Sequence, residues 1–165
     1  MIRLLNAADP PVIEAAFAAQ GWNKPAAQYE RYFAEQERGE RVVLVAEFDG
    51  AFAGYVTVVW ESGYASFREE SVPEICDFNV LLKFQRLGIG SALMDEAERR
   101  ISERSPIVGI GVGLTADYGA AQVLYARRGY VPDGRGISHD DRFLVYGDTA
   151  PVDDGLVLHL TKRLR

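Results

Sequence analysis

The sequence predicts an α/β domain, on three observations. Apolar runs of strand character alternate with stretches whose apolar residues recur at helical spacing. One strand-like run, Ile75 to Leu82, leads into the glycine-bearing turn Gln85-Arg86-Leu87-Gly88-Ile89-Gly90-Ser91, and the turn opens into an amphipathic helix. Asp49-Gly50 joins two further apolar runs, as a hairpin turn does.

Taken along the chain, the expected order is β-α-α-β-β-β-α-β-α-β-β. Ile2 to Leu5 reads as a short strand, and Asp9-Pro10 supplies a capping residue followed by a proline suited to a first helical turn. A helix over about 10–20 follows. Gly21-Trp22-Asn23-Lys24-Pro25 breaks it, and a second helix over about 26–38 stops at Gly39. Strands at Arg41 to Phe48 and Ala51 to Trp60 form the hairpin, and a loop with Gly63, Tyr64 and Phe67 precedes the strand before the glycine turn. In the helix after that turn, Ile89, Leu93, Ala97 and Ile101 recur every four residues with Met94 beside them, while Asp95, Glu96, Glu98, Arg99 and Arg100 lie opposite. Ile107 to Leu114 is the next strand, about 118–128 a helix, and about 130–136 and 156–162 the last strands.

The glycine turn carries the chemistry. A helix leaves its first N–H groups unpaired, and its dipole adds partial positive charge there, so a turn of this kind suits a phosphate. Gly88 and Gly90 place no Cβ between backbone and ligand. Ser91-Ala92 after the last glycine excludes a Walker A loop, which needs Lys then Ser or Thr. The dinucleotide fingerprint fails too, since Gly88-x-Gly90 reaches Leu93 and Gly109-x-Gly111 reaches Leu114 where a third glycine belongs.

Composition fits one domain spanning residues 1–165. Hydrophobic residues are 48% of the chain, and no stretch approaches the roughly 20 apolar residues of a membrane span. With no basic-then-apolar leader either, a soluble, cytoplasmic protein is expected. The single cysteine, Cys76, excludes an internal disulfide and a cysteine-rich metal site, and is expected as small core filler. Net charge is −6, but residues 83–128 carry seven basic and five acidic groups and form the only net positive segment. Lys83, Arg86, Arg127 and Arg128 are its candidates to favour a polyanion. An acidic protein of this kind is not expected to bind nucleic acid nonspecifically.

The turn, with the small and apolar Ser91-Ala92-Leu93-Met94 behind it, resembles the acyl-CoA pyrophosphate loop of the GNAT superfamily of N-acyltransferases. A second segment, Ala121-Gln122-Val123-Leu124-Tyr125-Ala126-Arg127-Arg128-Gly129-Tyr130, resembles that family's later motif. Together with the strand before the turn, these motifs cover about residues 73–131 in the family's order and spacing. The resemblance implies a mixed, mostly antiparallel sheet flanked by helices, with acyl-CoA in a cleft between two splayed central strands. It implies acetyl transfer from acetyl-CoA to a primary amine by direct attack in a ternary complex, without a metal. The acceptor would be a small-molecule or peptide amine, and neither membrane nor nucleic acid is an expected partner. A homodimer is left open. Alternatives are a noncatalytic acyl-CoA-binding regulatory domain and transfer of a longer acyl group.

The resemblance also assigns roles. Asn79, Val80, Leu81, Leu82, Gln85, Arg86, Leu87, Gly88, Ile89, Gly90 and Ser91 would hold the cofactor, and the Val80 N–H would donate a hydrogen bond to the thioester oxygen as it gains negative charge. Tyr125 holds the place of the tyrosine that assists the leaving thiolate. Glu74 lies eleven residues before Gln85, the spacing of the base in histone-modifying members. A base matters because an alkylamine with a pKa of about 10.4 is neutral at pH 7 in only about one part in a few thousand. Asp77, on the opposite side of an ideal strand unless a bulge redirects it, and Glu61 are the other candidates. Trp22, Glu61 and Asp77 are candidate acceptor contacts, and Tyr29, Tyr32, Trp60, Tyr64 and Phe67 are read mainly as core. Tyr118 stands where many relatives carry Asn, which puts that contact in doubt.

Residues 133–154 hold Asp133, Asp140, Asp141, Asp148, Asp153 and Asp154. Such an acidic loop either faces the acceptor site and attracts a cationic amine or is simply solvated. His139 and His159 have no metal-ligand spacing; His159, flanked by Leu158 and Leu160, reads as a sheet-face residue and His139 as a loop residue. No Gly-x-Ser-x-Gly elbow is present.

Overall fold

The computed structural model describes residues 1–164; Arg165, part of the expected domain, lies outside the described residues. Among the described residues eight strands form one sheet: β1 (Ile2–Leu4), β2 (Arg41–Phe48), β3 (Ala51–Val59), β4 (Glu74–Val80), β5 (Ile107–Gly113), β6 (Val131–His139), β7 (Arg142–Phe143) and β8 (Leu156–Arg163). Their spatial order is β1-β2-β3-β4-β5-β8-β6-β7. Among the described residues only the β4–β5 pair is parallel, so the sheet is mixed and mostly antiparallel. The helices are α1 (Asp9–Ala18), α2 (Ala26–Glu37), α3 (Ala65–Glu69), α4 (Ile89–Ser102) and α5 (Gly119–Arg127). No helix among the described residues is long and apolar enough to cross a membrane.

Strand alternation divides the core. Leu44, Val56, Val58, Ile75 and Ile110 point to one face, where they meet Leu93, Met94, Ala97 and Ile101 of α4. Val43, Val45 and Tyr55 point to the other, where they meet Ile13 and Phe17 of α1 and Tyr29 and Tyr32 of α2. With both faces covered, β2 and β3 read as nearly continuous apolar runs. Asp49 and Gly50 both have positive φ, as the two-residue hairpin turn requires.

Several expectations are corrected. Asp9 does not cap α1; its carboxylate takes two bonds from Arg3, at 2.7 and 2.8 Å, and one from the Asn6 N–H at 2.7 Å, anchoring the first strand to the helix. The loop after β3 contains the short helix α3. The last loop is shorter than expected, because β6 continues to His139 and turns through Asp140 and Asp141, both at positive φ, into β7. Within β6 the ladder is interrupted: Pro132 pairs with Leu160 and Ile137 with Leu158, so residues 133–136 stand opposite His159 alone.

Two irregularities of the sheet shape the site. The parallel β4–β5 pairing covers only Glu74 with Gly109 and Ile75 with Ile110, after which the strands part. Beside that gap, β4 carries a bulge: Thr57 pairs with Cys76 but Tyr55 with Asn79, so Asp77 and Phe78 stand opposite Val56 alone. Asp77 takes the strain, with a φ of 45°.

Candidate active site

The gap between β4 and β5 opens on unpaired backbone. The Leu81 N–H bonds the Ala53 carbonyl at 2.9 Å, and Asn79 faces Tyr55. By antiparallel alternation Gly54 and Val80 form the close, non-hydrogen-bonded pair between them, and the Val80 N–H points away from β3 toward the gap. Gly54 makes the approach possible: a Cβ there would lie 2.6 Å from the Asn79 carbonyl oxygen. Gln85 donates to the Val80 carbonyl at 3.3 Å, tying the glycine turn to the strand.

In the turn, Arg86 and Gly88 have φ of 63° and 81°, and Gly88 is the N-cap of α4 with no side-chain cap. The first intrahelical bond runs from the Ala92 N–H to the Gly88 carbonyl, which leaves the Ile89, Gly90 and Ser91 N–H groups free of helical partners. Arg86, Leu87 and Ser91 are exposed, and Ile89 packs against the core below. These groups fit a pyrophosphate. The two glycines do different work, however. A Cβ on Gly88 would meet nothing within 4 Å, so its requirement is conformational, whereas a Cβ on Gly90 would lie 3.1 Å from the Phe78 ring. Gly90 therefore also serves helix–strand packing, since a side chain there would press on Phe78.

Other cofactor candidates divide similarly. The Asn79 amide is turned away to Asp77 at 3.0 Å and Tyr55 at 3.3 Å, and Leu81 is core between α1 and the sheet. Leu82 is exposed, but its N–H is held by Gln20 Oε1 at 3.0 Å. Arg128 is engaged by Asp95 and Glu98 at 2.7 and 3.0 Å, so the positive segment offers Lys83, Arg86 and Arg127.

Tyr125 sits in the core beneath α5, its ring 5.9 Å from that of Tyr130, and burial pushes its hydroxyl pKa up. Tyr118 lays its ring over Gly113 and donates to Asp154 at 2.9 Å; burial first, and then Asp154, push it up to about 12.

Glu74, Cys76 and Asp77 share the sheet face under α1 and α2, because the bulge turns Asp77 to the side that ideal alternation denies it. Burial raises the Glu74 carboxyl above its ordinary value; the Ser62 hydroxyl, donating at 2.6 Å, and Arg41 oppose this, and Asp141 adds to it. Asp141, at the β6–β7 turn, is the source of that last contribution from the acidic segment. Most of its other aspartates are spent locally: Asp133 on Tyr64 at 2.9 Å, Asp148 on Arg142 at 3.2 Å, Asp153 on His139 at 2.8 Å and Asp154 on Tyr118. His139 thus ends a strand and is not a loop residue. His159 is a buried sheet-face residue stacked 3.5 Å from the Tyr64 ring, and burial lowers its pKa against the pull of Asp133 and Asp141. Cys76 is free, bonded to Thr57, with burial raising its pKa.

Asp77 is the most heavily bonded group of the site. Lys24 at 3.2 Å and Asn79 at 3.0 Å donate to Oδ1, and Gln28 at 2.8 Å and Tyr32 at 2.9 Å to Oδ2. Burial, then Asp77, pushes Tyr32 up to about 12. Trp22 stacks on Phe17 at 5.8 Å, next to Lys24, whereas Glu61 lines a different cleft of about 610 Å³ with Glu35, Glu40, Arg41 and Trp60. The three acceptor candidates therefore fall in two places. Sequence reasoning missed Ser62, Gln28 and Lys24; the helix break around Gly21 marks Lys24, and nothing marks Ser62. Among the described residues no group of His, Cys, Asp and Glu could hold a metal ion.

A family model described as the acetyltransferase (GNAT) family matches residues 8–130. The chain belongs to the GNAT family. Its fold is shared with a ribosomal-protein-alanine N-acetyltransferase from Brucella melitensis, at 22% identity over 99% of each chain with a TM-score of 0.70. An N-acetyltransferase from Staphylococcus aureus Mu50 is similar at 15% identity over 100% of this chain and 98% of its own, with a TM-score of 0.73. The yncA protein of Salmonella typhimurium, solved with its cofactor acetyl-CoA, is similar at 20% identity over 100% of this chain and 94% of its own, with a TM-score of 0.67. No curated protein sequence matches significantly. In this GNAT chain the parted strands, the bulge and the open end of α4 meet around one gap.

Proposed function

We propose that this GNAT chain transfers an acetyl group from acetyl-CoA to a primary amine, by direct attack in a ternary complex. The observation that carries the reading is the early end of the β4–β5 ladder, which leaves the Val80 N–H directed into the gap beside the unpaired N–H groups of α4. The Ile89 to Ser91 backbone and Arg86 would take the pyrophosphate, and the thioester would lie along β4 with its oxygen toward Val80. A donor fixed before reaction stabilises the charge that develops there without reorganising.

Glu74 is the proposed base. Its raised pKa brings it nearer the working pH, which suits a group that must take a proton and release it. Tyr125, its pKa raised by burial and hence protonated at neutral pH, is the proposed donor to the departing thiolate. The step balances: the ammonium gives one proton to Glu74, which passes it to solvent, the neutral nitrogen bonds the acetyl carbon, the carbon–sulfur bond breaks with its electron pair on sulfur, the sulfur takes a proton from Tyr125, and the second nitrogen proton returns through solvent to Tyr125. The test is thiol release from acetyl-CoA across a panel of primary amines and peptide N-termini. One thiol per acetylated amine supports the reading; cofactor binding without release on any amine points to a regulatory acyl-CoA-binding domain.

A further inference from the structure

Lys24 comes from the segment between α1 and α2 that is neither helix nor strand, and its ammonium is set among three groups that recognise such a cation. Nζ donates to Asp77 Oδ1 at 3.2 Å and to the Tyr55 hydroxyl at 3.1 Å. It also lies 5.7 Å from the centroid of the Phe17 ring and 5.7 Å from that of Tyr55. A carboxylate, a hydroxyl oxygen and the π-face of Phe17 together make an ammonium cage. The cage does not depend on its occupant, since Gln28, Tyr32 and Asn79 hold the carboxylate from three other directions.

Its position is equally telling. Asp77 is the strained residue of the β4 bulge, three residues before Val80 on the strand that borders the gap. Non-glycine residues held at positive φ are strained and concentrate at functional sites. Lys24 has somewhere else to go. Gly21, at a φ of 82°, lies behind it, and Lys24 also lines a cavity of about 580 Å³ with Pro11, Glu14, Trp22 and Asn23, where Glu14 offers a second carboxylate.

We propose that the cage around Asp77 is a binding subsite for the primary ammonium of the acceptor, and that Lys24 is its tethered occupant, displaced when a cationic amine enters. The proposal rests on the acetyltransferase reading for the name acceptor, but binding itself can be measured without turnover. A neutral acceptor would displace a cation from Asp77 and offer none in return, so the favoured class is a primary alkylammonium.

The probe is n-butylammonium, titrated by calorimetry into wild type, Lys24→Met and Lys24→Met/Asp77→Asn, with n-butanol as the neutral control. If Lys24 fills the cage nine-tenths of the time or more, removing it tightens apparent binding by at least about tenfold. The expected result is that gain in Lys24→Met, its loss in the double variant, and no gain for butanol. Lys24→Gln, which keeps a donor to Asp77 without the charge, serves if Lys24→Met unfolds. Equal butylammonium affinity in wild type and both Lys24 variants overturns the subsite even if amines are acetylated. Conversely, the expected pattern with no acetyl transfer on any amine keeps the subsite and overturns the catalytic reading.

Discussion

Replacing Gly88 by alanine tests the glycine turn in a way that separates conformation from space. Gly88 sits at a φ of 81° with nothing within 4 Å of where a Cβ would be, so alanine meets no clash and only a backbone penalty. For an L-residue in the left-handed region that penalty is about 1–2 kcal/mol. The cost must surface in one of two places. If the turn keeps its shape, stability falls by about that amount; if the free protein relaxes the turn, stability holds and acetyl-CoA must restore it, weakening Kd by about 5- to 30-fold. Urea unfolding and calorimetry on the same samples therefore give losses that sum to about 1–2 kcal/mol. Gly90→Ala provides the contrast: its Cβ lies 3.1 Å from the Phe78 ring, which must give by a few tenths of an ångström, and the turn is untouched. Little change in affinity is expected there. The reasoning is refuted if Gly88→Ala loses neither stability nor affinity, or if Gly90→Ala weakens acetyl-CoA more than Gly88→Ala does.

Tyr125→Phe should lower kcat with little effect on acetyl-CoA affinity, because the hydroxyl acts as sulfur departs; unchanged turnover with chemistry rate-limiting returns Tyr125 to packing. Burial raises the Glu74 pKa in the fold, so on raising pH the unfolded chain ionises first and the fold loses stability between the ordinary carboxyl value and the raised one. Glu74→Gln should accordingly be more stable than wild type at pH 7, with the gain vanishing as pH falls below about 4, while its acetyl transfer falls most near neutral pH and recovers partly as pH approaches the amine's own pKa. A stability difference independent of pH would contradict the buried carboxyl. Asp9→Ala removes the acceptor of two Arg3 bonds and one N–H bond and should cost roughly 1–3 kcal/mol by urea unfolding.

The fold was legible where periodicity carried it. Leu93, Ala97 and Ile101 announce the buried face of α4 by spacing alone, and Asp49-Gly50 announces the hairpin, because local geometry decides both. The turn from Gln85 to Ser91 into α4 was legible because its glycines mark the start of the helix. What escaped is set by tertiary contact. A bulge is one extra residue, and nothing in Cys76-Asp77-Phe78 distinguishes it from a regular strand, so the face of Asp77 could not be read from alternation. The different tasks of Gly88 and Gly90 depend on where Phe78 lies, and Asp9 fails to cap because Arg3 reaches it first. The 133–154 segment looked like one long acidic loop, since its aspartates gave no hint that most have partners in Tyr64, Tyr118, His139 and Arg142.

The central claim is that the gap between β4 and β5 holds the reacting thioester. A crystal structure of the chain with acetyl-CoA tests it most directly. The account predicts the pyrophosphate against the N–H groups of Ile89, Gly90 and Ser91, and the thioester oxygen within hydrogen-bond distance of the Val80 nitrogen. Acetyl-CoA seated elsewhere, or a Val80 N–H bonded to β5 with the gap closed, would contradict it.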